Sequence, residues 1–180
     1  MTRTRLFAVG ALVLVAAVRP ARAQSLQVTP LQRDGQVLVS FTLADGFDDD
    51  VRATIRSGLT TSFTYEIDLR QELALWVDRT LASAEVTASV RYDNLTRRYQ
   101  VSRSVNGRLE TTPQVTDSED VVRTLMTSFD KLALFNTATL EADAEYDLRV
   151  RVRTSPRSAW FLWPWGRHHA TGRATFTFIQ

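Results

Sequence analysis

Ser62–Arg70 reads SFTYEIDLR, and its apolar residues fall on every second position. Phe63, Tyr65, Ile67 and Leu69 face one way, while Thr64, Glu66, Asp68 and Arg70 face the other. Period two over nine residues specifies a strand with one buried and one wet face. Leu73, Leu75 and Val77 keep the same parity, so this strand is expected to be long or bulged.

The pattern recurs on both sides. Upstream, Val37, Val39, Phe41 and Leu43 make an earlier strand. Downstream, EVTASVRYD places Val86, Ala88, Val90 and Tyr92 on one parity, and after Asp93-Asn94-Leu95-Thr96 the series resumes at Tyr99, Val101 and Val105, as two arms of a hairpin. Asn106-Gly107 between Val105 and Arg108 is the strongest short hairpin signal, because both central positions of such a turn need positive φ. Tyr146, Leu148, Val150 and Val152, then Ala174, Phe176 and Phe178, give two late strands. Two helices interrupt the alternation. Phe47, Val51 and Ile55 recur every four residues, with Asp45 as cap, Asp48 to Asp50 at the positive dipole end and Gly58 as the stop. The second runs from about Ser118 to Leu132, with Val122, Leu125, Phe129 and Leu132 on one stripe behind Asp117, Glu119 and Asp120. The fold class that follows is mainly β (α+β): an antiparallel β-sandwich or curled sheet with two short covering helices.

The chain has 180 residues, 22 Lys plus Arg and 20 Asp plus Glu, for a formal charge of +2. Four arginines and no acid lie in residues 1 to 23, so the remainder holds 18 bases against 20 acids. That near-neutral balance argues against a nucleic-acid partner bound by bulk charge. Residues 1 to 23 read as a signal peptide. MTRTR is a positive start, Leu6 to Val18 is an apolar run too short to span a bilayer, and Ala21-Arg22-Ala23 precedes a cleavage site before Gln24. The competing reading is an uncleaved anchor. Residues 24 to 180 are then one exported domain, periplasmic or secreted. No Cys is present, which removes disulfides, thiolate metal sites and cysteine nucleophiles together.

Several of these residues carry a resemblance. The leader, a first strand pair, an acidic-capped helix ending in Ser57-Gly58-Leu59, SFTYEIDLR, RYDNLTRRYQVSR (Arg91 to Arg103), a helix and YDLRVRVR (Tyr146 to Arg153) resemble the bacterial domain-of-unknown-function family numbered 4390. The most specific part is Tyr-x-x-Leu-Thr-Arg-x-Tyr from Tyr92 to Tyr99. The resemblance implies an uncharacterised envelope protein and brings no site residues.

Chemistry is sparse. His168 and His169 are the only imidazoles; being adjacent, they point apart on a strand and make a poor chelate, so no metal and no cofactor is expected. No GxSxG, HExxH, GxxxxGK or GxGxxG occurs. Glu66 and Asp68 share a face about 7 Å apart at ~3.3 Å per residue, a spacing an inverting glycosidase tolerates, but nothing apolar surrounds them to raise one pKa. Asp48 to Asp50 serve a helix start better than a calcium site.

Three features remain. Trp160, Phe161, Leu162, Trp163 and Trp165, followed by Arg167, form a candidate interaction loop, either folded back over an open end of the sandwich or exposed as an aromatic wedge for a membrane surface or an envelope protein. Arg91, Arg97, Arg98 and Arg103 form a candidate anion surface around the Asp93–Thr96 turn, against the alternative that they only keep a sheet edge soluble. From Glu141 to Arg153 the odd positions run acid then base, a register that two copies pairing about Asp147 would satisfy; Glu66, Asp68 or Arg91 of the same chain satisfy it equally, so a homodimer is not favoured. The function expected is a non-catalytic domain binding a protein or amphipathic ligand in the cell envelope; the alternatives are a carrier of a hydrophobic ligand and an unrecognised hydrolase.

Overall fold

A computed structural model of the chain describes residues 25–71, 79–155 and 170–179. The leader, the continuation through Leu73, Leu75 and Val77, the aromatic stretch with Arg167, and both histidines lie outside the described residues.

The chain runs β1 (Ser25–Arg33), β2 (Gln36–Ala44), α1 (Asp49–Arg56), β3 (Thr61–Gln71), β4 (Arg79–Asp93), β5 (Arg98–Val105), β6 (Arg108–Leu109), β7 (Gln114–Thr116), α2 (Glu119–Thr127), β8 (Ser128–Asn136), a 3-10 turn (Thr137–Thr139), β9 (Glu145–Ser155) and β10 (Thr171–Thr177). All pairings are antiparallel. One sheet has the order β1-β2-β8; the other runs β10-β9-β3-β4-β5-β6, with β7 also on β5. The fold is therefore mainly antiparallel β with two short helices, as the alternation predicts.

The predicted inward residues are the core. Phe63, Tyr65, Ile67 and Leu69 of β3, Val86, Ala88 and Val90 of β4, and Tyr146, Leu148, Val150 and Val152 of β9 are buried, and so are Val37, Val39, Phe41 and Leu43 of β2. The sheets meet through an aromatic cluster: the Phe41 ring centre lies 4.9 Å from Tyr65 and 4.7 Å from Phe129, and Tyr65 lies 5.3 Å from Phe129. The Tyr65 hydroxyl donates to the Met126 carbonyl at 2.8 Å, and burial pushes its pKa above the ordinary tyrosine value. Such rings combine a large apolar area with a polar handle that needs a partner once buried. At the other edge β1 lies close over β10. A Cβ on Gly172 would meet the Leu26 carbonyl oxygen at 2.4 Å, so only glycine permits that approach.

The two hairpin turns that pair a polar residue with glycine both take left-handed backbone. Asn106 and Gly107 have φ of 50° and 76°, as the hairpin signal requires; Asp34 and Gly35, with φ of 52° and 74°, join β1 to β2 the same way. That second Asp-Gly pair is the sequence signal for β1.

The helices sit beside the three-stranded sheet. α1 packs on β3 and β4, and α2 on β4 and β5, burying Ile55, Val122 and Met126. No described helix is long and apolar enough to cross a membrane. The α1 cap is Asp48, whose carboxylate accepts from the Val51 N–H at 2.9 Å, and not Asp45. Asp45 has φ of 56° and turns the chain out of β2, whereas an N-cap needs the extended backbone that Asp48 has. Gly58 ends the helix as expected, its N–H donating to the Ile55 carbonyl at 2.9 Å.

The second helix is shorter than its stripe suggests. It stops at Thr127, and Phe129 and Leu132 belong to β8. The cause is a pair of bulges. Val37, Val39 and Phe41 of β2 face Phe135, Leu132 and Phe129 of β8, so a spacing of two on one strand meets a spacing of three on the other. Each bulge inserts one extra residue in β8, and apolar residues three apart imitate a helical stripe. Ser40 stabilises one bulge, accepting from the Lys131 N–H and donating to Asp130, both at 2.9 Å.

Candidate functional site

The four arginines of the β4–β5 hairpin do not form one surface. Arg91, Arg97 and Arg98 are exposed at or near its tip. Arg103 lies on the inward parity of β5, with Tyr99 and Val101, and reaches under α2. Its guanidinium donates to the carbonyls of Leu125 (2.8 Å), Thr124 (3.3 Å) and Ser128 (2.7 Å) and lies 4.3 Å from the centre of the Phe129 ring. A cation there meets the negative end of the helix and the face of an aromatic ring together. Burial draws its pKa below the usual arginine value, against the attraction of Glu110 and Tyr65. Arg103 thus holds the end of α2, and its parity with Tyr99 and Val101 is the signal that separates it from the other three.

The tip itself is firmly built. The Asp93 carboxylate accepts from the N–H groups of Leu95 (2.8 Å) and Thr96 (3.3 Å), which lower its pKa. Arg97 takes φ of 55°, and the rings of Tyr92 and Tyr99 pack 4.7 Å apart behind it. Leu95 stands on this turn 95% exposed. The turn after α1 abuts it, since a Cβ on Gly58 would lie 3.1 Å from the Asn94 amide nitrogen, and Leu59 beside it is also exposed.

A further cluster, not anticipated, joins the helices. Glu119 at the start of α2 is ion-paired with Arg52 (2.9 Å) and Arg56 (2.7 Å) of α1, and the hydrogen bond to Glu119 is the main reason the Arg56 pKa is raised. Arg52 and Arg123 each lie 5.9 Å from the Phe47 ring centre. The i, i+4 spacing of Arg52 and Arg56 was the available signal.

The outer face of the large sheet carries the alternating charges. Glu141 and Asp143 are not among them, because β9 starts at Glu145 and Asp143, with φ of 62°, lies in the preceding turn. Arg151 donates to Asp68 at 2.7 Å and lies 3.5 Å from Glu66, which also binds Arg153. Ser83 donates to the other oxygen of Asp68 at 2.7 Å. The two carboxylates spaced for glycoside hydrolysis are therefore held by guanidinium groups and a hydroxyl, as structural members of a charge ladder. β9 is paired with β10 on one side and β3 on the other, so it has no edge left for pairing with a second copy about Asp147.

Asp48 and Asp49 are likewise engaged, by the α1 N-terminus and by Arg52. Among the described residues no group of His, Asp and Glu is arranged to hold a metal. An open groove at the β5–β6 turn is lined by Val105, Asn106, Arg108, Leu109 and Glu110, which supply a single carboxylate.

Fold and surfaces together describe a two-sheet β domain whose polar chemistry is dominated by arginine. The chain belongs to the family described as Domain of unknown function (DUF4390), whose model matches residues 20–159, leaving β10 beyond the matched region. No curated protein and no solved structure matches it.

Proposed function

We propose that the chain is a non-catalytic binding domain, exported to the cell envelope, that acts by surface contact with a protein or an amphipathic ligand. The observation that carries this is the hairpin tip. A rigid turn presents a leucine to solvent beside Arg91, Arg97 and Arg98, none of which has a carboxylate within 4.0 Å among the described residues. Leucine at a turn tip adds nothing to a core, while an apolar tooth among free cations suits a partner that is greasy and anionic together. The reading of a hydrophobic-ligand carrier is weakened by the rings of Phe41, Tyr65 and Phe129, which occupy the space such a cavity needs. The hydrolase reading is weakened by the engagement of Glu66 and Asp68. Export rests on the composition of residues 1 to 23.

Fractionation of cells making the full chain with a C-terminal tag, followed by N-terminal sequencing, tests export; a cytoplasmic product that still begins at Met1 overturns it. Contact through the tip is tested by crosslinking from position 95 in intact cells. We expect an adduct with an envelope protein or lipid that is lost when Arg97 and Arg98 are both changed to Ser, and an adduct indifferent to that change overturns the role of the tip.

A further inference from the structure

We infer that Arg149 and Arg173, on the outer face of the large sheet, form a binding site for an oxyanion of the phosphate type. The site is distinct from the hairpin tip and stands or falls independently of it.

The inference comes from how the charge ladder is offset. In the β3–β9 register Glu66 lies opposite Arg151 and Asp68 opposite Arg149. The shortest ion pairs slip one rung, although Arg151 also keeps a 3.5 Å contact with Glu66. Glu66 binds Arg153, and Asp68 binds Arg151 and Ser83. Continuing the slip brings Arg149 to position 70, and there the residue is Arg70. The slipped rung of Arg149 therefore carries a guanidinium and not a carboxylate. On its other side Arg149 is opposite Arg173 of β10, a second cation where a directly facing like charge is destabilising.

Arg149 also has an orphaned donor. Its Nε is shielded from solvent and has no hydrogen-bond partner among the described residues, and a buried N–H without an acceptor carries the full cost of its desolvation. Neither Arg149 nor Arg173 has an ion pair within 4.0 Å among the described residues. Among the described residues the charges around them are Arg70 on β3, Arg151 further along β9, and two carboxylates: Asp68, opposite Arg149 but held by Arg151 and Ser83, and Asp147, which is 5% exposed and opposite Arg70. Two facing guanidinium forks and an unfilled donor describe an acceptor-rich anion with several oxygens, which is what phosphate offers and what arginine binds with paired N–H groups. A monocarboxylate must share two oxygens between the forks, whereas a phosphate group presents three or more.

The test is calorimetric titration of the full chain, in its exported form if the leader is removed, with inorganic phosphate at constant ionic strength. Arg149→Gln and Arg173→Gln are the variants, and Arg98→Gln on the hairpin is the control. We expect saturable one-to-one binding that each variant weakens by about tenfold, the order of one charge-assisted hydrogen bond, and that Arg98→Gln leaves unchanged. Phosphate should raise the melting temperature of the wild-type chain and of Arg98→Gln, but not that of Arg149→Gln. Two further arms separate the sources of the phosphate group. Glycerol phosphate competing as well as inorganic phosphate assigns a free solute; binding only to vesicles containing phosphatidylglycerol, still lost in Arg149→Gln, assigns a lipid headgroup. Should Arg149→Gln fail to fold, Arg173→Gln and Arg149→Lys carry the same comparison. No saturable binding in any arm, or equal binding by wild type and both variants, overturns the inference.

Discussion

β3 and β9 have two faces that solve different problems with alternate residues of the same segments. On the inner face Phe63, Tyr65, Ile67 and Leu69 meet Tyr146, Leu148, Val150 and Val152, all essentially without exposure. On the outer face Glu66 and Asp68 meet Arg151 and Arg153 with side chains still partly in water. Burying a large apolar side chain contributes about 1.5–3 kcal/mol, whereas an exposed ion pair contributes about 0–1 kcal/mol. Stability therefore resides inside, and the outer charges choose register and leave over whatever cations the ladder does not use.

That division makes a first, large prediction. Phe41→Ala removes the ring that stacks on Phe129 and tilts against Tyr65, and should cost about 3–5 kcal/mol in chemical denaturation followed by far-ultraviolet circular dichroism. A loss below about 1 kcal/mol would mean that the two sheets are not held together by this cluster. Arg103→Met comes next and tests whether one polar residue belongs to the inner economy of the molecule. It keeps the volume under α2 but deprives the carbonyls of Thr124, Leu125 and Ser128 of their donor. We expect a loss of about 2–3 kcal/mol, in the range for charged hydrogen bonds, with hydrogen exchange quickening first in the last turn of α2.

Much of this was legible because period two survives wherever a strand is regular. β2, β3, β4, β9 and β10 present their buried residues at the parity their sequences give, and Asn106-Gly107 marks its turn. The failures have specific causes. β8 was hidden because bulges at Leu134 and at Asp130-Lys131 stretch its apolar spacing to three, the spacing of a helix, directly after a real helix. Asp45 was mistaken for a cap because composition alone does not distinguish it from Asp48; the backbone angles do. Arg103 was grouped with its sequence neighbours although its parity with Tyr99 and Val101 assigned it to the core side. Arg149 and Arg173 could not have been paired from the sequence, since their apposition depends on the register of β9 with β10 and on a one-rung slip of side chains that no pattern of residues encodes.

The smallest predicted effect belongs to the outer face itself. Arg151→Gln removes the cation shared by Glu66 and Asp68. Glu66 keeps Arg153 and Asp68 keeps the Ser83 hydroxyl, so neither carboxylate is abandoned, and glutamine can still donate one hydrogen bond across the strand. The change should cost less than about 1 kcal/mol at low ionic strength. The difference from wild type should shrink further in 1 M salt, where the Debye length falls to about 3 Å. It should also free one oxygen of Asp68 to turn toward its register partner Arg149, because Arg151 is the cation that holds that oxygen on the slipped rung. A loss of several kcal/mol, insensitive to salt, would mean that the ladder is a buried network supporting the sheet, and the contrast between the two faces would then be one of chemistry and not of energy.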